Sequence, residues 1–216
     1  MYAEKFLEER HVEMEDFDPL AITKTARAEL EKITEPHRRA ILQNFIDHAE
    51  AECTGNYERL IESCSPKHQS YAVYGCSEFQ KSIQPQDVES MKEFYYMLIA
   101  SNVYLIHGEV EKLIVGDDGI YVELMLHQLY PGEIIPAAFG FEFGEEGEVY
   151  QLTQRVATVF VFDEDNKGCG EHSWTDGVTR PEQLRKEDPR KVPEQFWNNP
   201  LSGPRTKPWE VAAETA

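Results

Sequence analysis

The residues best suited to chemistry lie close together in residues 156–177, where an apolar segment and a polar segment flank an acidic turn. Glu171, His172 and Asp176 follow that turn within six positions of one another. A carboxylate beside an imidazole is the pairing that general acid–base catalysis uses, because imidazole changes its charge near neutral pH. The stretch therefore indicates a pocket in which a proton is transferred.

Alternation along this last segment separates its side chains onto two faces. His172, Trp174 and Asp176 share one face, and Glu171 lies on the other. If the first set faces inward, Trp174 forms the floor of a pocket beside His172 and Asp176. The alternative is a solvated strand end, and the sequence leaves both open.

Further candidates lie upstream of this stretch. His48 follows Phe45 by three residues on the apolar face of a helix, where it can exchange protons or serve as a hydrogen-bonded core histidine. Tyr71 can donate to an oxyanion or only pack. Glu123 and His127 share a strand face and form an acid–base pair if that face is concave, or solvated or interfacial residues if it is convex.

These patterns give two sets of predicted site residues. The predicted catalytic residues are His48, Tyr71, Glu123, His127 and His172. The predicted substrate contacts are Phe45, Tyr74, Tyr95, Trp174 and Asp176. No helical H-x-x-x-H pair and no glycine-rich phosphate loop occurs in the sequence, so we predict no metal site and no cofactor.

The elements that must position these residues follow from the apolar periodicity. The pattern predicts helices over residues 22–33, 35–53, 57–63 and 87–101, with Thr34 as the N-cap of the second. It predicts strands over residues 69–74, 104–115, 120–130, 149–162 and 168–176. The run Gly116-Asp117-Asp118-Gly119 is typical of a hairpin turn. Helices followed by antiparallel strands indicate an α+β fold.

Composition narrows the partners of the chain. Its 40 acidic and 21 basic residues give a net charge of −19, which repels phosphate backbones and anionic membranes. No apolar run has the length of a transmembrane helix. The four cysteines form no C-x-x-C pair, and the acidic N-terminal segment does not have the pattern of a signal peptide. We therefore expect a cytoplasmic protein with reduced cysteines.

The chain divides into three predicted parts. Residues 1–33 form an N-terminal arm and helix, residues 34–178 a central α+β barrel domain, and residues 179–216 an extended C-terminal arm. Six of the twelve prolines lie in the last part, which favours extended backbone. The first 18 residues are expected to be mobile or to lie on a partner.

The central part resembles the SnoaL-like family of the nuclear-transport-factor-two-like superfamily. The resemblance covers residues 34–177 and rests on PHRRAILQNFIDHAEAECTGNYERLIE, VESMKEFYYML and VFVFDEDNKGCGEHSWTDG, in that order and spacing. It implies a curved antiparallel sheet wrapped around helices, a cone-shaped pocket, and a dimer formed across the sheet. Members include polyketide cyclases, ketosteroid isomerases, epoxide hydrolases, dehydratases, carbon–carbon lyases and non-catalytic binding modules.

Carrying residues over from the family refines this expectation. The oxyanion tyrosine of the ketosteroid isomerases falls at His48, and their aspartates fall at residues 71–74 and near Thr158, where no acid stands. The resemblance therefore favours lyase or cyclase-like chemistry over that isomerisation. Arg155 and Glu123 could supply part of the Asp-Arg-Asp arrangement of the epoxide hydrolases.

We therefore expect a cofactor-independent enzyme that uses general acid–base catalysis on a small apolar molecule, aromatic or polycyclic. Carbon–carbon lyase, aldol or cyclase, dehydratase and isomerase reactions all fit. The alternative is a non-catalytic module of the same fold that binds a hydrophobic ligand or a protein. The other expected partner is a second copy of the chain, in a homodimer or higher oligomer.

Overall fold

The computed structural model describes residues 10–210. The helices are Ala21–Leu30 (α1), Pro36–Thr54 (α2), Tyr57–Ser63 (α3), Glu78–Ser82 (α4), Val88–Ala100 (α5), Ile135–Phe139 (α6) and Glu194–Trp197 (α7). The strands are Ala72–Tyr74 (β1), Ile106–Val115 (β2), Gly119–Pro131 (β3), Val149–Phe162 (β4), Gly168–Thr175 (β5), Leu184–Glu187 (β6), Asn198–Asn199 (β7) and Gly203–Pro204 (β8). The predicted α+β class and its curved sheet are confirmed.

Helix α2 carries the predicted site residues Phe45 and His48, and both of its ends are capped. The carboxylate of Glu35 accepts hydrogen bonds from the backbone N–H groups of His37 and Arg38, and Pro36 occupies the first turn. The predicted N-cap, Thr34, is therefore wrong by one residue, because the Glu35 side chain reaches the free N–H groups. The helix ends at Gly55, whose φ of 73° is left-handed and favours glycine.

The main sheet has the strand order β1-β5-β4-β3-β2, and β6 pairs with β4. Its long strands are antiparallel neighbours in the chain, whereas β1 runs parallel to β5. The predicted limits of β4 agree with the structure, and β1 is shorter than predicted. The pairing of β1 with β5 brings the segment after α3 beside the final hairpin.

The register of the strands decides which side chains face the helices. Ile120, Val122 and Leu124 of β3 pack with Ile41 and Phe45 of α2 on the inner face of the sheet.

Two residue pairs transfer this assignment from β3 to β5. Ile120 pairs with Phe160 and Phe160 with Glu171, so Glu171 also lies on the inner face. His172 and Trp174, one and three positions further along the strand, point to the outer face.

Both terminal segments pack on the body of the protein. In the N-terminal segment, the Val12 N–H donates to Gln151 Oε1 and the Asp18 N–H to His107 Nδ1, so residues 11–18 cover part of the outer face. The part of the predicted mobile arm that the structure describes is thus held by its own chain, and residues 1–9 lie outside the described range.

The C-terminal segment contributes β6 to the sheet and buries Phe196 and Trp197 in the core. The division of the chain after residues 33 and 178 stays a prediction. No helix within residues 10–210 is long and apolar enough to cross a membrane.

Candidate active site

The candidate site is a small cavity between α2 and the strands β4 and β5. Its polar lining comes from Asn44, His48, Tyr71 and Glu171, and the rings of Phe45, Phe160 and Phe162 supply much of its apolar wall. The cavity volume is about 10 Å³, which is room for roughly one water molecule. The interior of the expected cone is therefore largely filled by side chains.

One hydroxyl group connects the polar side chains of this site. The Tyr95 hydroxyl donates to Glu171 Oε1 at 2.8 Å and lies 3.1 Å from His48 Nε2. The Tyr71 hydroxyl lies 3.1 Å from the same Tyr95 oxygen. His48 Nε2 is also 3.4 Å from Glu171 Oε1. An imidazole, a carboxylate and two phenols thus form one connected network.

Ser63 determines which nitrogen of His48 faces this network. The Ser63 hydroxyl donates its proton to the Leu60 carbonyl at 2.6 Å, and its oxygen lies 2.8 Å from His48 Nδ1. Because the only hydroxyl proton of Ser63 is already used, Nδ1 must carry a proton and donate it to Ser63. Nε2 is then the nitrogen that can gain or lose a proton.

Counting protons in the network favours the charged form of His48. If Nε2 is also protonated, it donates to the Tyr95 oxygen, which accepts from Tyr71 as well and donates to Glu171. Every proton then has one acceptor. If Nε2 is bare, the single Tyr95 proton must serve either His48 or Glu171, and the other acceptor loses its donor.

The electrostatic environment of His48 leads to the same charge state. Burial by itself lowers the pKa of His48, whereas its contacts with the Cys64 sulfur and the Glu171 carboxylate raise it, and the net pKa lies well above 6.5. Burial, followed by the charge of Glu171, raises the pKa of Tyr71 and Tyr95. Both phenols therefore remain protonated donors at neutral pH.

A second carboxyl group, Glu52, lies behind the imidazole. It follows His48 by one helical turn, and its Oε2 is 3.8 Å from His48 Nε2. Burial, and next the negative charge of Glu171, raise the pKa of Glu52 to about 7. The site thus contains a carboxyl group that can exchange a proton near neutral pH without lining the cavity.

The structure brings four of the ten predicted site residues into this site. His48 and Tyr71 line the cavity, Phe45 forms its wall, and Tyr95 lies in the hydrogen-bond network. Phe45 contacts Phe160 edge to face, with ring centroids 4.8 Å apart.

The other six predicted residues lie elsewhere, chiefly because they occupy the outer face of the sheet. Glu123 forms ion pairs with Arg155 at 2.7 Å and Lys112 at 3.0 Å. His127 is buried under the N-terminal segment, where its Nδ1 lies 2.9 Å from the Thr153 hydroxyl oxygen. His172 lies on the outer face and does not line the cavity.

The remaining three are predicted substrate contacts. Tyr74 and Trp174 stack on each other at 5.1 Å on the surface, with 47% and 45% of their area exposed. Asp176 follows the end of β5, where it accepts a 3.4 Å hydrogen bond from Gln183.

Four polar members of the site are not among the predicted site residues: Asn44, Glu52, Ser63 and Glu171. Glu171 is singled out by the sequence, which leaves open the face of β5 that points inward. A signal existed for two of them, because Asn44 and Glu52 precede and follow His48 by four residues and so share its helix face. Within the described residues, no group of three or more His, Cys, Asp or Glu side chains is arranged to hold a metal.

Comparison with solved structures identifies the fold. A protein described as a SnoaL-like polyketide cyclase from Shewanella putrefaciens superposes with a TM-score of 0.53 and 13% identity, over 72% of this chain and 88% of that chain. The chain has the SnoaL-like fold. The expectation from the sequence is thereby confirmed for the fold, and an identity this low extends no further.

Two other solved structures superpose less closely. A polyketide cyclase-like protein from Acidithiobacillus ferrooxidans shares 23% identity over 67% of this chain and 91% of that chain, with a TM-score of 0.45. An epoxide hydrolase from M. tuberculosis shares 8% over 63% and 83%, with a TM-score of 0.45. No protein-family model and no curated protein matches the sequence.

Proposed function

We propose that the protein is an enzyme that transfers protons on a small, largely apolar molecule in the site formed by His48, Tyr71, Tyr95 and Glu171. The observation that supports this most directly is the Tyr95 hydroxyl, which contacts both His48 Nε2 and Glu171 Oε1 beside a phenylalanine-lined cavity. An acid and a base linked by one hydroxyl can be reset after each turnover.

The roles follow from which groups reach the cavity. Glu171 accepts a proton from a carbon or hydroxyl of the substrate, and the His48 imidazolium gives its Nε2 proton to the oxygen that becomes negative or leaves. Tyr71 donates a hydrogen bond to that oxygen. The proton on Glu171 then returns to His48 Nε2 through the Tyr95 hydroxyl, so the starting state is restored without a cofactor.

This exchange fits several reactions with the same balance of protons. Removing a proton beside a carbonyl gives an enol for isomerisation or cyclisation, and removing a hydroxyl proton permits cleavage of a neighbouring carbon–carbon bond. Protonating a leaving hydroxyl releases water. The aromatic wall favours a substrate with an aromatic or other flat apolar part.

The small cavity sets a condition on this function. A volume of about 10 Å³ does not hold a substrate, so the Phe45–Phe160 contact must open. Phe160 is less buried than Phe45, which is 1% exposed, so Phe160 is the ring that we expect to move. We therefore expect binding to be accompanied by movement at β4.

The test uses pairs of matched variants on opposite faces of the sheet. Purified protein is incubated with aromatic, steroid and terpenoid compounds, and product masses are followed. For any compound that reacts, Glu171→Gln and His48→Gln are expected to lower kcat/KM by about 100- to 10,000-fold. The controls Glu123→Gln and His172→Gln, on the outer face, are expected to change it little.

The outcomes separate the proposals. Fragments indicate a lyase, a mass change of one water a dehydratase or hydrolase, and an unchanged mass at a new retention time an isomerase or cyclase. If no compound reacts and some still raise the melting temperature, the chain is a binding module. If the outer-face variants lose activity and the inner-face variants retain it, the assigned site is refuted.

We also propose that a second copy of the chain packs on the outer face of the sheet. Tyr74 and Trp174 form an exposed aromatic pair there, and Ile114, with 61% of its area exposed, lies on the same face at the opposite edge of the sheet. The stacked pair supports this proposal, because contiguous exposed apolar side chains mark interaction sites.

A further inference from the structure

We propose that the substrate carries an O–H or N–H group that donates a hydrogen bond to Asn44 Oδ1, and that Asn44 selects for that group. This inference rests on the proposed function, because it concerns the same cavity. It concerns the chemical class of the substrate and leaves the acid–base roles of His48 and Glu171 unchanged.

The orientation of the Asn44 carboxamide is determined by its neighbour. Asn44 Nδ2 donates to the Ser63 carbonyl at 3.0 Å, a bond that only the NH₂ side of the amide can make. The opposite orientation would place two oxygens against each other. Oδ1 is thereby directed away from Ser63.

The Asn44 oxygen is buried and has no donor from the protein. It is one of the few buried side-chain oxygens without a hydrogen-bond partner within the described residues. Leaving a buried acceptor unpaired costs about 1 to 3 kcal/mol, so a donor is expected from outside the chain. Since Asn44 lines the cavity with His48 and Glu171, that donor must enter the cavity.

On the side of β5, no side chain fills the cavity next to the oxygen, because the cavity residue there is a glycine. Gly168 of β5 has no side chain, and even a Cβ added to it would lie 3.9 Å from Asn44 Oδ1, an ordinary van der Waals distance. The free cavity matches about one water molecule, which can satisfy Oδ1 before substrate binds. A hydroxyl or amine of the substrate takes the place of that water and keeps the hydrogen bond.

Helix geometry places this contact next to the reacting groups. Asn44 precedes His48 by four residues, so both side chains project from the same face of α2. Asn44 contacts the backbone and His48 the side chain of the same residue, Ser63. A donor held by Asn44 therefore lies beside the atom on which His48 and Glu171 act. A molecule of the same shape without the donor leaves Oδ1 unpaired and is rejected.

The experiment compares phenol with toluene, which have the same shape and differ by one hydroxyl. Dissociation constants are measured by NMR titration for the unmodified protein and for Asn44→Leu. The ratio of toluene to phenol dissociation constants is expected to fall about fivefold or more in the variant, because the buried acceptor is lost. Gln43→Leu, exposed on the same helix, serves as the control and should keep the original ratio.

A second measurement does not depend on the folding of the variant. In the unmodified protein, phenol is expected to shift the Asn44 side-chain ¹³Cγ signal and toluene to leave it unchanged. If the phenol preference persists in Asn44→Leu, or if the Asn44 signal responds equally to both compounds, the proposal is overturned while the acid–base site stands. If neither compound binds, both this inference and the proposed apolar site are refuted.

Discussion

Removing the Ser63 hydroxyl is the sharpest test of how the site holds its imidazole. The Ser63 oxygen accepts a hydrogen bond from His48 Nδ1–H at 2.8 Å, and the Ser63 hydroxyl itself donates to the Leu60 carbonyl. In Ser63→Ala, the nearest remaining acceptor for Nδ1 is the Cys64 sulfur at 3.8 Å, which is too far for a strong bond. The charged form of His48 therefore loses a buried hydrogen bond.

The size of the effect follows from the charge on the donor. A hydrogen bond to a charged group contributes about 1.5 to 3 kcal/mol, so His48 is expected to bind its proton roughly 10- to 100-fold more weakly in Ser63→Ala. The pKa of His48 falls as a result. The neutral ring can then also adopt the tautomer with its proton on Nε2, because no other acceptor requires the proton on Nδ1.

Long-range ¹H–¹⁵N spectra of the His48 ring, recorded across a pH titration, measure both consequences. Ser65→Ala removes another buried serine hydroxyl nearby and is the matched control, with no expected effect on His48. An unchanged His48 titration and an unchanged tautomer in Ser63→Ala would show that Ser63 does not fix the ring. The assignment of Nε2 as the reactive nitrogen would then be wrong.

Three further predictions concern groups in and outside this contact. The pKa of Glu52 is about 7 in the folded protein against an ordinary value of 4.5, so between these pH values the folded protein holds a proton that the unfolded chain releases. The free energy of unfolding should fall by up to about 1.4 kcal/mol per pH unit as the pH rises from 4.5 to about 7. Urea unfolding of Glu52→Gln should show a flatter dependence on pH. Burial lowers the pKa of His127 from 6.5 to about 3, so stability should fall as pH drops below 6.5, and His127→Asn should lessen that loss in acid unfolding. Trp174→Lys should convert a dimer to a monomer by analytical ultracentrifugation, whereas Met97→Lys, an exposed control, should not; equal sedimentation of all three proteins would refute the outer-face interface.

The fold was predictable because its signals are local. The β4 limits follow from the β-branched and aromatic residues that dominate residues 149–162, and the β2–β3 turn follows from two glycines flanking two aspartates. Helix α2 has a broad apolar stripe and a glycine at its end. Each of these features is determined by residues within a few positions of one another.

The site was less predictable because it depends on which sheet face meets the helices. Alternation puts Glu171 and His172 on opposite faces of β5 but does not say which face points to the helices. The contact of β3 with α2 decides this. Burial does not identify the inner face either, because His127 is fully buried on the outer face, where residues 11–18 cover it. That cover comes from a segment more than a hundred residues away in sequence.

The cost of the buried network is itself an argument for its use. A core built for stability would fill the space around Phe45 and Phe160 with apolar side chains, since replacing a buried ionic group by packed apolar residues is often neutral or stabilising. Here the chain retains an imidazole with two carboxyl groups within 4 Å of its Nε2, and the imidazole and one of these carboxyl groups line a cavity. Ion pairs such as Glu123 with Arg155 are solvated and need no such explanation. The buried network beside the cavity does need an explanation, and proton transfer is the function that best accounts for it.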